Sequence, residues 1–163
     1  METISMYHRG GVAEVRAMLV RDSCVPVDHT RTPDDINRMW RELVETATWF
    51  DPFKEHMIVF LLNSKNRCKG FNLVTIGLLD ASLVHPREVY RPAIAFGASA
   101  VIMAHNHPSG DPTPSAEDIR ITRQIQEAGK MIEISLLDHI IIGSRTGVRP
   151  WLSLREEGLC LFS

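Results

Sequence analysis

Cysteine is scarce in this sequence: only Cys24, Cys68 and Cys160 occur, odd in number and far apart. That argues against a disulfide framework and against a Cys-x-x-Cys metal knuckle, and it predicts free thiols in a reducing compartment. Long apolar runs are missing too. The longest nearly uninterrupted one, Ala93 to Ala104, is broken by Gly97 and Ser99 and falls short of the roughly 20 residues that cross a bilayer. The opening Met1-Glu2-Thr3-Ile4-Ser5 has no basic stretch followed by an apolar core, so no secretory signal is expected and the chain is expected in the cytoplasm. Charge of one sign is lacking as well. Eighteen Lys and Arg against 20 Asp and Glu leave a net charge of -2, which offers no global attraction to phosphate backbones or anionic membranes. No internal repeat, low-complexity tract or Gly/Ser linker breaks the chain.

What is present is the composition of one globular domain. With 163 residues, 44% apolar and 23% charged, the chain is long enough to bury about 70% of its unfolded surface, and a second domain of any size is not expected. Residues 1–31 read as an N-terminal extension, with a short edge strand from Ala13 to Val20 and a loop from Pro26 to Thr32. The clearest helix follows. Thr32 can cap it, Pro33 suits its first turn, Asp34 and Asp35 favour its positive end, and Ile36, Met39, Trp40, Leu43, Val44 and Ala47 recur at helical spacing to a predicted end near Thr48. Met57 to Leu62 and Phe71 to Leu79, joined by Asn63-Ser64-Lys65-Asn66, read as a hairpin of buried strands. His85-Pro86-Arg87-Glu88 opens a helix that Pro92 is expected to kink and Gly97 to end, and Ser99 to His105 is a further buried strand. A helix over Ser115 to Ala128, closed by Gly129, and strands around Met131 to Leu137 and His139 to Ile142 complete the reading. This alternation predicts an α/β layered domain with a mixed central sheet flanked by helices.

The chemistry concentrates in His105-Asn106-His107-Pro108-Ser109-Gly110-Asp111-Pro112-Thr113-Pro114-Ser115-Ala116-Glu117-Asp118. His105 and His107 lie two apart at the end of a predicted strand, so both imidazoles fall on one face. Asp118 falls in the first turn of the next helix, where the dipole favours a carboxylate. Two imidazoles and a carboxylate make a ligand set for a catalytic zinc with one position open to water. Each part has a plainer reading. Ser115-x-x-Asp118 is an ordinary helix start, although a capping box prefers Glu or Gln at its last position, and a single strand-end histidine is more often just a satisfied polar group. The combination decides: with this chain's residue frequencies the pattern should arise by chance about once in a thousand such chains.

His-x-His-x7-Ser-x2-Asp is the signature of the JAMM (JAB or MPN) metalloproteases. The surrounding text, Ser82-Leu83-Val84-His85-Pro86-Arg87-Glu88 through Ala104 to Ser115 and on to Leu137-Asp138-His139, resembles the RadC-type branch, over roughly Thr32 to Gly143. The resemblance implies a JAB/MPN-like mixed sheet with cytidine-deaminase-like layering, one zinc per chain held by His105, His107 and Asp118, and hydrolysis of peptide or isopeptide bonds. It also implies a general base in the glutamate that follows the first helix, here Glu55, with Glu42 and Glu45 weaker candidates, and an oxyanion donor in Ser115. If Ser115 caps its helix instead, that donor is lost. His85 and His139 could orient a ligand or could simply be satisfied histidines at element ends. Larger RadC proteins carry an N-terminal helix-hairpin-helix module, for which 163 residues are expected to leave no room.

The expected partner is a protein or peptide substrate, with no membrane, with nucleic acid disfavoured and with a homodimer left open. A DNA-repair role rests on the historical association of RadC proteins alone and finds no aromatic-basic stripe here. A nucleobase deaminase would need His-x-Glu and Pro-Cys-x-x-Cys, which are absent, and the dispersed residues of an HNH nuclease are not the contiguous His105-Asn106-His107. A non-catalytic scaffold would have to keep every ligand for no chemical reason.

Overall fold

A computed structural model describes residues 8–9, 12–13, 32–77 and 84–162. Its elements in chain order are the two-residue strands β1 (His8–Arg9) and β2 (Val12–Ala13), helix α1 (Pro33–Met39) running into a π-helical turn (Trp40–Val44), strands β3 (His56–Leu62) and β4 (Cys68–Ile76), helix α2 (Pro86–Ala95), strand β5 (Ala100–Asn106), helix α3 (Ala116–Met131), and strands β6 (Ser135–Ile142) and β7 (Trp151–Ser153). Strands β1 and β2 pair with each other, and the other five form one sheet in the order β4-β3-β5-β6-β7. Only β5 and β6 run parallel; β3–β4, β3–β5 and β6–β7 are antiparallel. The sheet is therefore mixed, as the alternation of elements predicts. Among the described residues no helix is long and apolar enough to cross a membrane.

Strand parity sorts the core into two layers. Met57, Val59, Leu61, Val101 and Met103 turn towards α2 and α3, where they meet Val89, Tyr90, Ala93, Ile121 and Ile125. Ile58, Phe60, Leu62, Ile102, Ala104, Ile140 and Ile142 turn the other way, onto Ile36, Met39, Trp40 and Val44. Every residue of β3 and β5 is buried, which is why both strands read as continuous apolar runs rather than alternating ones.

Several boundaries differ from the sequence expectation. Thr32 caps α1 in a full capping box with Asp35, but the helix widens at Trp40 and ends at Val44 rather than near Thr48. Successive turns, from Val44 to Ala47 and from Ala47 to Phe50, then carry the rings of Trp49 and Phe50 onto His56. Helix α2 continues through Pro92, and Gly97 follows it at φ 58°, a left-handed conformation that suits glycine after a helix end. Strand β4 begins at Cys68, three residues before the expected start, while Leu78 and Leu79 lie outside the described residues, as do residues 14–31 of the expected N-terminal strand and loop.

Gly129 does not end α3. The helix runs on to Met131, so the strand expected from Met131 starts instead at Ser135 and continues unbroken through His139 to Ile142. Gly129 serves packing: a Cβ there would sit 2.5 Å from the Ile134 carbonyl oxygen and closer still to the Tyr90 hydroxyl, which donates to the Ile125 carbonyl at 2.9 Å. Strand β7 escaped the sequence reading altogether. Cys68 and Cys160 are free thiols, Cys68 raised to about 11 by burial, and Cys24 lies outside the described residues.

Gly129→Ala should thus destabilise the fold by about 1–3 kcal/mol through overpacking against Tyr90 and the backbone. Urea denaturation would show a lower midpoint, and an unchanged midpoint would mean that α2 and α3 can separate at little cost.

Candidate metal centre

The register of the sheet builds the site. Met103 faces α3, so His105, two residues on, faces it too and is fully buried. His107 follows just past the strand, its backbone N–H bonded to the Ile142 carbonyl at 3.0 Å. The chain then loops through Pro108 to Pro114 and starts α3 at Ser115, which brings Asp118, only 2% exposed, back beside the imidazoles. His105 Nε2 lies 3.0 Å from His107 Nε2 and 3.2 Å from Asp118 Oδ1, and His107 Nε2 lies 3.6 Å from Asp118 Oδ2. One donor atom from each of the three residues falls within 4.8 Å of the others, the spacing of a site that could bind a metal ion.

Hydrogen bonds assign the lone pairs. Thr122 Oγ1 lies 2.6 Å from the Asp118 carbonyl, an acceptor only, so its hydroxyl donates there. It must then accept from His139 Nδ1, 2.6 Å away. A neutral His139 is left with a bare Nε2, which accepts from His105 Nδ1 at 2.8 Å. His139 is fully buried; that burial, with repulsion from His105, pushes its pKa well below the usual range and keeps it neutral. On the other side, His107 Nδ1 donates to the Asp111 carbonyl at 2.7 Å. Both histidines therefore turn an Nε2 lone pair inward, and two lone pairs 3.0 Å apart repel unless a proton or a metal cation lies between them. The donor set fits a metal, and second-row partners of this kind are what orient ligating imidazoles elsewhere.

The electrostatics agree. Burial would raise the Asp118 pKa, but the facing His105 and His107, when they carry an Nε2 proton, and the Ser115 hydroxyl hold it well below the ordinary carboxylate range. Burial would lower that of His107, yet Asp118, the Asp111 carbonyl and the charge of Glu55 outweigh it and raise it. The site is a sink for positive charge.

Comparison with known proteins matches residues 30–159 to the RadC-like JAB domain. The chain belongs to that family. This RadC-like JAB domain is 45% identical over 133 residues to a UPF0758 protein of Halalkalibacterium halodurans, covering 82% of this chain and 53% of that one. It is 50% identical over 127 residues to a UPF0758 protein of Caldanaerobacter subterraneus subsp. tengcongensis, covering 78% and 51%. A UPF0758 protein of Desulforudis audaxviator is 42% identical over 153 residues, 90% of this chain and 63% of its own. The chain thus spans about half to two thirds of the length of these curated relatives. The family match also takes in β7, which lies beyond the core of residues 32–143 that the sequence suggested.

Within this domain the remaining candidates separate. Glu55 is half-buried and stands two residues before Met57, the β3 partner of His105, on the strand parity that faces α3. Its charge reaches His107. Ser115 does cap α3: its hydroxyl accepts from the Asp118 N–H at 3.1 Å and donates to Asp118 Oδ2 at 2.7 Å, so the short carboxylate closes a capping box after all. His85 is an exposed cap of α2, accepting from the Arg87 N–H, whereas His139 joins the site. Asp138 accepts from the backbone N–H of its neighbour His139 at 2.7 Å and ties β6 to the Ser153 hydroxyl and the Arg155 N–H. Glu45 pairs with Arg41 and Arg145 on the opposite layer. The sequence reading passed over Thr122 and Asn106; the one signal for Thr122 was a hydroxyl residue one helical turn after Asp118.

Thr122→Val keeps the shape but lets His139 change tautomer and turn its N–H on His105. Divalent-metal affinity, measured by competition with a chelator, should fall about 10- to 100-fold, and Thr122→Ser should retain most of it. Equal affinities for the Val and Ser variants would remove the relay from the account of the site.

Proposed function

We propose that this chain is a zinc-dependent hydrolase of the JAMM type that cleaves peptide or isopeptide bonds in a cytoplasmic protein or peptide substrate. The convergence of two inward Nε2 lone pairs and one buried carboxylate carries the reading, since nitrogen and carboxylate donors in that number are a catalytic zinc set. Zinc held there by His105, His107 and Asp118 would lower the pKa of a water towards neutrality and polarise the substrate carbonyl. Glu55 takes the proton of the attacking water and later returns it to the leaving amine. Ser115 can serve the oxyanion only by releasing Asp118 Oδ2, to which its hydroxyl donates. The scaffold alternative has no observation in its favour, because the ligand set is intact and its lone pairs converge.

His107→Ala should lose the zinc, as elemental analysis of the purified chain would read; unchanged metal content would place the ligands elsewhere. Glu55→Gln should keep the zinc while hydrolysis of a screened peptide or isopeptide conjugate falls about 10²- to 10⁴-fold. Full activity in that variant would pass the base role to another carboxylate, and lost zinc would make Glu55 a ligand or a structural residue.

A further inference from the structure

The backbone ladder between β3 and β5 stops at the Met57–His105 pair. One residue further the main chains no longer pair, yet the connection is not broken. Asn106, buried at the end of β5, accepts from the His56 N–H through Oδ1 at 2.9 Å and donates from Nδ2 to the Lys54 carbonyl at 2.9 Å. Its amide thus stands in for the missing strand neighbour and bonds the residues on either side of Glu55. From the other flank the Gly77 N–H donates to the Glu55 carbonyl at 2.9 Å. The His56 ring reinforces the turn: its Nδ1 lies 2.9 Å from the Lys54 carbonyl, and it packs on Phe50 with centroids 4.8 Å apart.

We infer that Asn106 is a positioning residue for Glu55, fixing the carboxylate of the base against the site that its two neighbours, His105 and His107, build. This rests on the proposed base role of Glu55. An amide is suited to the task because it offers one acceptor and one donor on a planar frame, matching an N–H and a C=O at once. A hydroxyl in its place cannot span both groups, and an apolar side chain leaves the buried His56 N–H unpaired and the Lys54 carbonyl with the His56 ring alone. Displacement of a reacting group by about 1 Å costs on the order of 10²-fold in rate, so a base carried on a turn needs such a mount.

The test uses Co²⁺ as the probe, so it needs no substrate: the visible band of the cobalt-loaded chain follows, with pH, the ionisation of the water that the base faces. Glu55→Gln should move the midpoint of that titration, and Asn106→Ala should move it the same way by about half a pH unit or more. In a Glu55→Gln background Asn106→Ala should add nothing. Cobalt affinity should change less than the roughly tenfold expected when a ligand loses its own hydrogen-bond partner. Asn106→Ser repeats the comparison with a smaller perturbation should the alanine variant fail to fold, with circular dichroism as the check. A wild-type midpoint in the folded Asn106 variants, or a shift that persists in full without the Glu55 carboxylate, overturns the positioning role. A wild-type midpoint in Glu55→Gln itself instead removes the base reading, and the positioning role with it.

Discussion

The site depends on one carboxylate staying ionised where there is almost no water. Asp118 is 2% exposed, and a lone buried carboxylate would take up a proton and lose its negative charge. Three things prevent this. The imidazoles of His105 and His107 face it, the Ser115 hydroxyl and backbone N–H both donate to Oδ2 at 2.7 Å, and the start of α3 supplies the positive end of a helix dipole. The cap and the candidate ligand are then a single device: Oδ2 starts the helix while Oδ1 is left towards His105. Helix start and site geometry cannot vary separately.

A second consequence is that the loop between strand and helix must be held as firmly as the helix. His107 leans on the Asp111 carbonyl, so the loop sets its tautomer. The loop is in turn fixed from outside the site. The Ser144 N–H donates to the Gly110 carbonyl at 2.8 Å, and a Cβ at Gly143 would lie 2.7 Å from that same carbonyl. Arg41 reaches the Gly143 and Pro150 carbonyls while pairing with Glu45, which also holds Arg145. The polar side of the first helix, a weaker source of a catalytic base in the sequence, is the strut that ties residues 143–150 to the opposite layer.

These couplings explain what could be read from the sequence. The buried strands, α1 with its Thr32 cap and the His105–His107–Asp118 pattern are local: each is set by residues a few positions apart. Where reading failed, a distant contact had overruled a local signal. Gly129 looks like a helix stop, but Tyr90 needs the space it leaves. Trp151 to Ser153 is too short to announce itself and becomes a strand by pairing with β6. Ser115 followed by Asp118 looks like a weak cap because an aspartate reaches back less well than a glutamate, yet both Asp35 and Asp118 close full capping boxes. His85 and His139 could not be told apart by their neighbours in sequence; only the Met103–His139 register of β5 against β6 decides which one meets His105.

That same register divides labour between the faces of β5. His105 points to α3 and, through His139 and Thr122, has the direction of its lone pair fixed by a helix carbonyl. Asn106, of opposite parity, reaches sideways to the backbone around Glu55. One chain of contacts sets the direction of an imidazole lone pair, and the other holds the backbone on either side of Glu55. They leave β5 in different directions and share no hydrogen bond, although the charge of Glu55 still reaches His107. Adjacent residues of one strand end are thus held by separate partners, His105 through His139 to α3 and Asn106 by the turn that precedes β3.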